Sequence, residues 1–136
     1  MNMKASQKIR IQTNAAPPAL GSYSQAIRSG DLVFVTGQTG RNPNTRKLLD
    51  GIEAQARQMM ANVGAVLNAA GCSPGGIVRA NLMLADMKDF ALVDELYVRW
   101  LPDDRITCHP ARTVFQAAAL PAGALVMLDV IATYPS

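Results

Sequence analysis

The last predicted strand, residues 124–134, constrains the fold most because both of its faces are apolar. Alternate residues of a strand point to opposite faces of a sheet. One face carries Val126, Leu128, Val130 and Ala132, and the other carries Leu125, Met127, Asp129, Ile131 and Thr133. Helices can cover one face, whereas the second needs a cover of its own. The strand therefore predicts an oligomer whose sheets pack face to face, in which Asp129 meets a partner group, water or ligand.

Two amphipathic helical patterns separate the strand patterns of this chain. Apolar residues recur every three or four positions over residues 51–70, and Gly71 is well placed to end that helix. A second helical pattern follows Asp89. The strand patterns cover residues 8–12, 23–28, 32–36, 77–85, 113–119 and 124–134. The order predicts a single domain over residues 1–136, an α+β sandwich with two helices on one face of a mixed sheet.

Composition limits the classes of function that the chain can have. Of 136 residues, 49% are hydrophobic and 17% charged, which predicts a packed core and favours self-association. The net charge of +3 is scattered and aromatic residues make up 5%, so nucleic acid is not an expected partner. Two cysteines and one histidine do not form a metal-binding pattern. Without a signal-like or membrane-spanning apolar segment, we expect a cytoplasmic protein with reduced thiols and no membrane partner.

Arg112 is the first candidate for a ligand-binding residue. Pro110 favours extended geometry just before it, which places Arg112 at the mouth of a strand. A guanidinium group is a planar, permanently charged fork that suits a carboxylate. From the residues alone, Arg112 is either such an anchor or a strand-end charge that is solvated or paired with a local acid.

The other candidates also lie at strand ends, namely Tyr23, Thr36, Gly37 and Asp129. Each has an ordinary alternative role: a packed ring with a wet hydroxyl for Tyr23, and a routine strand residue for Thr36. Gly37 either lets the backbone approach a ligand or marks a strand-to-loop transition. The chain contains no phosphate-binding loop, dinucleotide fingerprint or nucleophile elbow.

The order and spacing of several short segments identify a family resemblance over nearly the whole chain. They are Asn14-Ala15, Gly21-Ser22-Tyr23-Ser24-Gln25-Ala26, Val35-Thr36-Gly37-Gln38, Asn42-Pro43, Gln55-Ala56-Arg57-Gln58, Asn62-Val63, Ala69-Ala70-Gly71, Asp86-Met87-Lys88-Asp89-Phe90, Pro110-Ala111-Arg112 and Leu120-Pro121. In this order, the segments resemble the Rid family (reactive intermediate deaminase, also called YjgF or L-PSP).

The resemblance implies a chorismate-mutase-like α+β fold of the bacillus type, assembled as a homotrimer around a central barrel. The clefts of such proteins lie between subunits. It further implies that Arg112 binds a substrate carboxylate in a bidentate manner, and that Tyr23 and the backbone of Thr36 and Gly37 line the same cleft. Known members hydrolyse imines and enamines, such as 2-aminoacrylate, to ketoacids and ammonia, with no metal or organic cofactor.

Three positions depart from the family pattern. The Glu that orients water in the best-known deaminases corresponds to Met127, a frequent cysteine corresponds to Val114, and an asparagine that can line the cleft corresponds to Asp94. Asp129 lies two residues beyond Met127 and hence on the same face. We treat its replacement of the Glu as a hypothesis; its alternative role is that of an acid in the barrel interior.

The leading hypothesis is a deaminase for a small carboxylate-bearing imine or enamine. The apolar side chains of Val114 and Met127 would suit a less polar substrate. The alternative is a paralogue that binds a carboxylate metabolite in the same cleft without turnover, because Met127 cannot orient water. RNA cleavage or inhibition of translation ranks third, since the charge is scattered and the chain lacks a pair of histidines for acid–base work.

Overall fold

The computed structural model describes residues 7–102 and 108–135. The strands are β1 (Lys8–Ile11), β2 (Ala26–Ser29), β3 (Leu32–Thr39), β4 (Ile77–Leu84), β5 (Ala111–Gln116) and β6 (Val126–Thr133), and the helices are α1 (Ile52–Ala69) and α2 (Phe90–Trp100). The predicted order of elements is confirmed. Residues 1–6, on which the expectation of a signal-free N-terminus partly rests, lie outside the described part.

All six strands form one mixed sheet in the order β1-β2-β3-β6-β4-β5. The β4–β5 pair is parallel and every other pair is antiparallel. Helix α2 connects β4 to β5, as a parallel connection requires a crossover of this length. The last strand, β6, therefore lies in the middle of the sheet, and β5 lies at its edge.

The two helices cover one face of the sheet. Along β6, Val126, Leu128, Val130 and Ala132 are fully buried, while the residues between them are half-buried. The inward residues join one core with side chains from both helices. This alternation confirms the assignment of faces made from the sequence.

Most of the opposite face of the sheet is open. At one end, Leu120 and Ala124 pack on Met83, with Leu48, Ala117 and Met127 beside them. Leu32 (37%), Phe34 (42%) and Phe115 (44%) are large apolar side chains that this chain leaves partly exposed. We call this surface the open face. Apolar area of this kind on a small domain is typical of a surface that another subunit covers.

The bounds of four strands differ from the prediction by two or more residues, and β6 begins at Val126 rather than at residue 124. Strand β3 continues from Thr36 to Thr39, through an irregularity in its pairing with β6 between Val35 and Gln38. Strand β2 begins at Ala26, so Tyr23 lies in the preceding loop. Strand β5 begins at Ala111 rather than residue 113, so Arg112 lies within the strand, and it ends at Gln116 rather than residue 119. Its parallel partner β4 ends at Leu84, and no further backbone groups of β4 are left to pair with it.

Helix α1 ends as the sequence predicts. Gly71 has a φ of 78°, the left-handed conformation that glycine adopts without a steric penalty. Its N–H donates to Asn68 O (3.0 Å), and the Cys72 N–H donates to Leu67 O (2.8 Å). These two bonds form a Schellman motif. Among the described residues, neither helix has the length and apolar character needed to cross a membrane.

Candidate active site

Arg112 lies on the helix-facing side of β5, next to Ala80 of β4 in the register of the sheet. Its Nη1 donates to Asp94 Oδ1 at 2.6 Å, and the two side chains are 24% and 35% exposed. The guanidinium carbon lies 5.0 Å from the ring centre of Tyr97 and 5.5 Å from that of Phe90. Helix α2 therefore supplies both an acid and two aromatic rings that orient Arg112.

The pairing with Asp94 uses part of the hydrogen-bonding capacity of Arg112. A guanidinium group carries five N–H donors. Within residues 7–102 and 108–135, Asp94 is the one hydrogen-bond partner of the Arg112 side chain. The remaining donors can therefore bind a carboxylate in the bidentate manner expected from the family. Asp94 is the local acid that the sequence left unnamed.

Tyr97 packs beside this pair, and its hydroxyl group is buried without a hydrogen-bond partner among the described residues. Burial raises the pKa of Tyr97, the charge of Asp94 raises it further, and the charge of Arg112 partly opposes both. Tyr97 therefore stays neutral under physiological conditions and contributes its ring to the surroundings of Arg112.

A pocket of about 360 Å³ opens on the other side of the sheet. The residues that line it are Pro17, Pro18, Tyr23, Gln25, Thr36, Gly37, Gln38, Thr39, Arg41, Pro121, Met127 and Asp129. Its volume is in the range of small-molecule sites. Five of the site residues proposed from the sequence thus lie in one pocket, which we call the open-face pocket.

Met127 packs directly on Gly37 within this pocket. A Cβ atom on Gly37 would lie 2.9 Å from Met127 Sδ and 3.2 Å from its Cγ, closer than side chains normally come. Gly37 therefore permits a close approach, as its sequence context suggested for a ligand, but its neighbour is the Met127 side chain. The thioether forms a soft, apolar wall where the family's carboxylate is expected.

Asp129 is held from the neighbouring strand. Asn81 of β4 is its register partner, and Asn81 Nδ2 donates to Asp129 Oδ1 at 2.9 Å. Arg79 Nη2 in turn donates to Thr113 Oγ1 (2.6 Å) and to Asn81 Oδ1 (3.3 Å). The partner that the sequence required for Asp129 is Asn81. Among the described residues, Oδ2 of the carboxylate has no hydrogen-bond donor and can accept from a water molecule.

Buried amides hold the backbone around the open-face pocket. Gln25 Nε2 donates to Pro17 O (2.8 Å) and Thr13 O (3.0 Å), which fixes the loop that carries Tyr23. Asn62 Nδ2 donates to Thr39 O (3.0 Å) and Arg41 O (2.8 Å), which ties helix α1 to the end of β3. The role of Asn62 was not predicted from the sequence, although a polar amide within the apolar pattern of a helix was a usable signal.

The candidate residues form two half-sites on opposite faces of the sheet. Arg112, Asp94 and Val114 lie towards the helices, where Val114 packs against the core. The open-face pocket contains Met127 and Asp129. Strand β4 separates β5 from β6, and two strand spacings amount to about 10 Å. One chain does not bring Arg112 together with Asp129.

The described residues include no group of three or more His, Cys, Asp or Glu side chains able to hold a metal ion.

The family model "Endoribonuclease L-PSP" matches residues 13–134. An Arabidopsis thaliana protein, Reactive Intermediate Deaminase A, chloroplastic, is 40% identical over 124 residues, which cover 90% of this chain and 64% of that protein. A Mus musculus protein, 2-iminobutanoate/2-iminopropanoate deaminase, is 38% identical over 123 residues, which cover 90% of this chain and 88% of that protein.

Solved structures agree with these matches. RidA from an Antarctic Psychrobacter superposes with a TM-score of 0.87 at 41% identity, covering 92% of this chain and 98% of that one. TdcF from E. coli with bound serine superposes with a TM-score of 0.85 at 33% identity, with the same coverage of 92% and 98%. On the evidence of its sequence and its fold, the chain belongs to the Rid (YjgF/L-PSP) family.

Proposed function

We propose that this protein is a deaminase that hydrolyses small carboxylate-bearing imines or enamines to ketoacids and ammonia. The observation that carries the proposal is the geometry of Arg112, which Asp94, Tyr97 and Phe90 orient while part of its guanidinium group stays accessible. The mouse relative, whose name states deaminase activity on 2-iminobutanoate and 2-iminopropanoate, supports the same class of substrate.

The reacting site lies between subunits in this proposal. Arg112 and the open-face pocket occupy opposite faces of one sheet, so a second copy must bring an Arg112 to each pocket. The exposed apolar residues Leu32, Phe34 and Phe115 supply a surface for that contact. We propose the homotrimeric, chorismate-mutase-like barrel that the family resemblance implies, with the open faces turned inward.

The chemistry needs few strong groups because an imine is already electrophilic. Arg112 fixes the carboxylate, and Tyr23 with the backbone of Thr36 and Gly37 holds the rest of the substrate. The free oxygen of Asp129 orients the attacking water. Water adds to the C=N carbon, the C–N bond then breaks and ammonia leaves, without any oxidant, metal or organic cofactor. Val114 and Met127 favour a substrate with an apolar stem.

The direct test measures ketoacid and ammonia release from imines that an amino-acid oxidase generates in situ. Arg112→Ala removes the carboxylate anchor, and we expect kcat/KM to fall by at least tenfold, as for the loss of a charge-assisted hydrogen bond. Arg57→Ala, an exposed helix position paired with Glu53, serves as the control. Equal rates for wild type and Arg112→Ala would contradict the role of Arg112.

Mixed oligomers test the shared site. Arg112→Ala disables one half-site, and Met127→Trp fills the pocket that forms the other. If the half-sites come from different subunits, co-expression of the two inactive variants restores about one quarter of the sites, because random mixing gives that share of intact interfaces. If both half-sites came from one chain, co-expression would restore no activity.

A binding protein without turnover is the second candidate, and the Met127–Gly37 contact favours it. Met127 occupies the place of the water-orienting Glu and cannot accept a proton. Met127→Glu tests this candidate directly. A gain of hydrolysis would show that the natural site lacks a catalytic group, whereas activity in the wild type that Asp129→Asn abolishes would favour the enzyme.

RNA cleavage remains the third candidate, because the matching family model carries the word endoribonuclease. The chain has one histidine, so a pair of histidines cannot supply acid and base. RNA binding that weakens steeply with salt would favour this candidate.

The expected cytoplasmic location stays a prediction, since the Arabidopsis relative is named as chloroplastic.

A further inference from the structure

Arg41 is a charged residue of the open-face pocket to which neither the family resemblance nor the proposed mechanism gives a role. It follows β3 in a turn whose backbone is closely fixed. Its backbone carbonyl accepts a hydrogen bond from the fully buried Asn62, and Arg41 forms an isolated antiparallel β-bridge with Leu48. The preceding Gly40 passes so near α1 that an added Cβ would lie 2.4 Å from the Cα of Gln55. The position of Arg41 is therefore set by the core.

The side chain of Arg41 is unengaged, in contrast to its backbone. Within the described part of the chain, no hydrogen bond or ion pair involves its guanidinium group. The acid of the same pocket, Asp129, already accepts from Asn81. A lining cation without a protein partner can bind an anionic group of a ligand through charge-assisted hydrogen bonds.

Arg41 and Asp129 lie towards opposite ends of the open-face pocket. Thr39 is the register partner of Met127, and Arg41 lies two residues beyond Thr39. Asp129 lies two residues from Met127 in the other direction along the sheet, about 7 Å away by the rise of a strand. Met127 therefore provides an apolar wall between a cationic end and an acidic end, so the two charges do not cancel within hydrogen-bonding distance.

We propose that Arg41 determines specificity by binding a second carboxylate, so that the site prefers imines of dicarboxylic acids over those of monocarboxylic acids. This inference rests on the proposed function and extends it. Arg112 of a neighbouring copy holds the carboxylate next to the imine carbon, the methylene stem packs on Met127, and the distal carboxylate reaches Arg41. The stoichiometry of hydrolysis is the same as for a monocarboxylic substrate: one water is consumed, and one ketodiacid and one ammonia are formed.

A matched pair of substrates tests the proposal. Imines are generated from glutamate and from norvaline, which has the same five-carbon chain ending in a methyl group. We expect a higher kcat/KM for the glutamate imine, and Arg41→Gln should reduce that preference about tenfold, mainly through KM. Arg41→Lys keeps the charge and should retain part of the preference. Lys47→Gln removes one charge from the same exposed turn outside the pocket and should leave the preference intact.

Direct binding separates a failure of this inference from a failure of the proposed function. Titration with glutarate and with pentanoate reports the distal carboxylate without requiring turnover. Tighter binding of glutarate that Arg41→Gln abolishes supports the inference even if no imine is hydrolysed. Hydrolysis without a preference that depends on Arg41 overturns the inference alone. The absence of hydrolysis together with equal binding of both acids overturns both.

Discussion

Asn62 offers the sharpest test of how the core positions the open-face pocket. The residue is wholly buried in α1, and its Nδ2 donates to Thr39 O (3.0 Å) and Arg41 O (2.8 Å). Its Oδ1 accepts from Gln58 Nε2 at 2.8 Å. The substitution Asn62→Asp keeps the shape of the side chain. It removes both donors and places a carboxylate oxygen against two carbonyl oxygens.

The magnitude follows from these two bonds. A lost hydrogen bond that leaves a buried acceptor unsatisfied costs about 1–3 kcal/mol, so the loss of two such bonds in Asn62→Asp should lower the free energy of unfolding by about 2–6 kcal/mol. The total free energy of unfolding of a typical domain is about 5–15 kcal/mol. Burial and the facing carbonyl groups also disfavour the charged form, which raises the folded-state pKa of the introduced carboxyl group above its unfolded value of about 3.9.

The direction of the pH dependence follows from that raised pKa. The protonated carboxyl can still donate one hydrogen bond, so the loss is smallest below about pH 4. It grows as the pH rises towards the folded-state pKa, by at most about 1.4 kcal/mol per pH unit. Asn62→Asp should therefore be more destabilising at pH 8 than at pH 5.

Urea unfolding at fixed protein concentration measures the effect at both values of pH. Asn68→Asp, an exposed position on the same helix, controls for the added charge. A loss at pH 8 of less than about 1 kcal/mol, or a loss that does not grow between pH 5 and pH 8, would refute the assignment of Asn62 Nδ2 as the donor to both carbonyls.

Three further substitutions test two close contacts and one buried hydroxyl group. Gly40→Ala places a Cβ 2.4 Å from backbone atoms of Gln55 and should cost about 3 kcal/mol in urea unfolding, because backbone cannot yield as a side chain does. Gly37→Ala meets the flexible end of Met127 at 2.9 Å, so we expect a loss of about 1 kcal/mol and a change in ligand affinity measured by titration. Tyr97→Phe removes a buried hydroxyl that has no partner among the described residues, so thermal unfolding should show unchanged or slightly higher stability.

The fold was largely predictable because its main signals are local. The alternation along β6 identified the buried face, and Gly71 marked the end of α1. The start of β2 was not predictable in the same way. The loop before it is fixed by Gln25, whose amide bonds to backbone groups eight and twelve residues earlier in the chain, and no periodic pattern reveals such contacts.

The residues of the candidate site could be proposed from the sequence, whereas their geometry could not. The sequence pointed to Arg112, yet its pairing with Asp94 depends on how α2 packs on β5. The partner of Asp129 is Asn81, which lies 48 residues away and becomes a neighbour through the register of β4 and β6. Arg41 carried no signal, because an arginine in a polar turn is ordinary until the turn is seen to line a pocket.

The placement of the two half-sites on opposite faces of one sheet has a consequence for how specificity can diversify. Residues without shared contacts usually have additive effects on stability. Under the proposed function, we therefore expect substitutions at Arg41 or Met127 to change which substrate side chain is accepted, while the Asp94–Arg112 pair stays undisturbed within the same chain. In the proposed site, the sheet separates recognition of the common carboxylate from recognition of the variable group, so we expect new specificities to accumulate on one face without loss of the shared anchor.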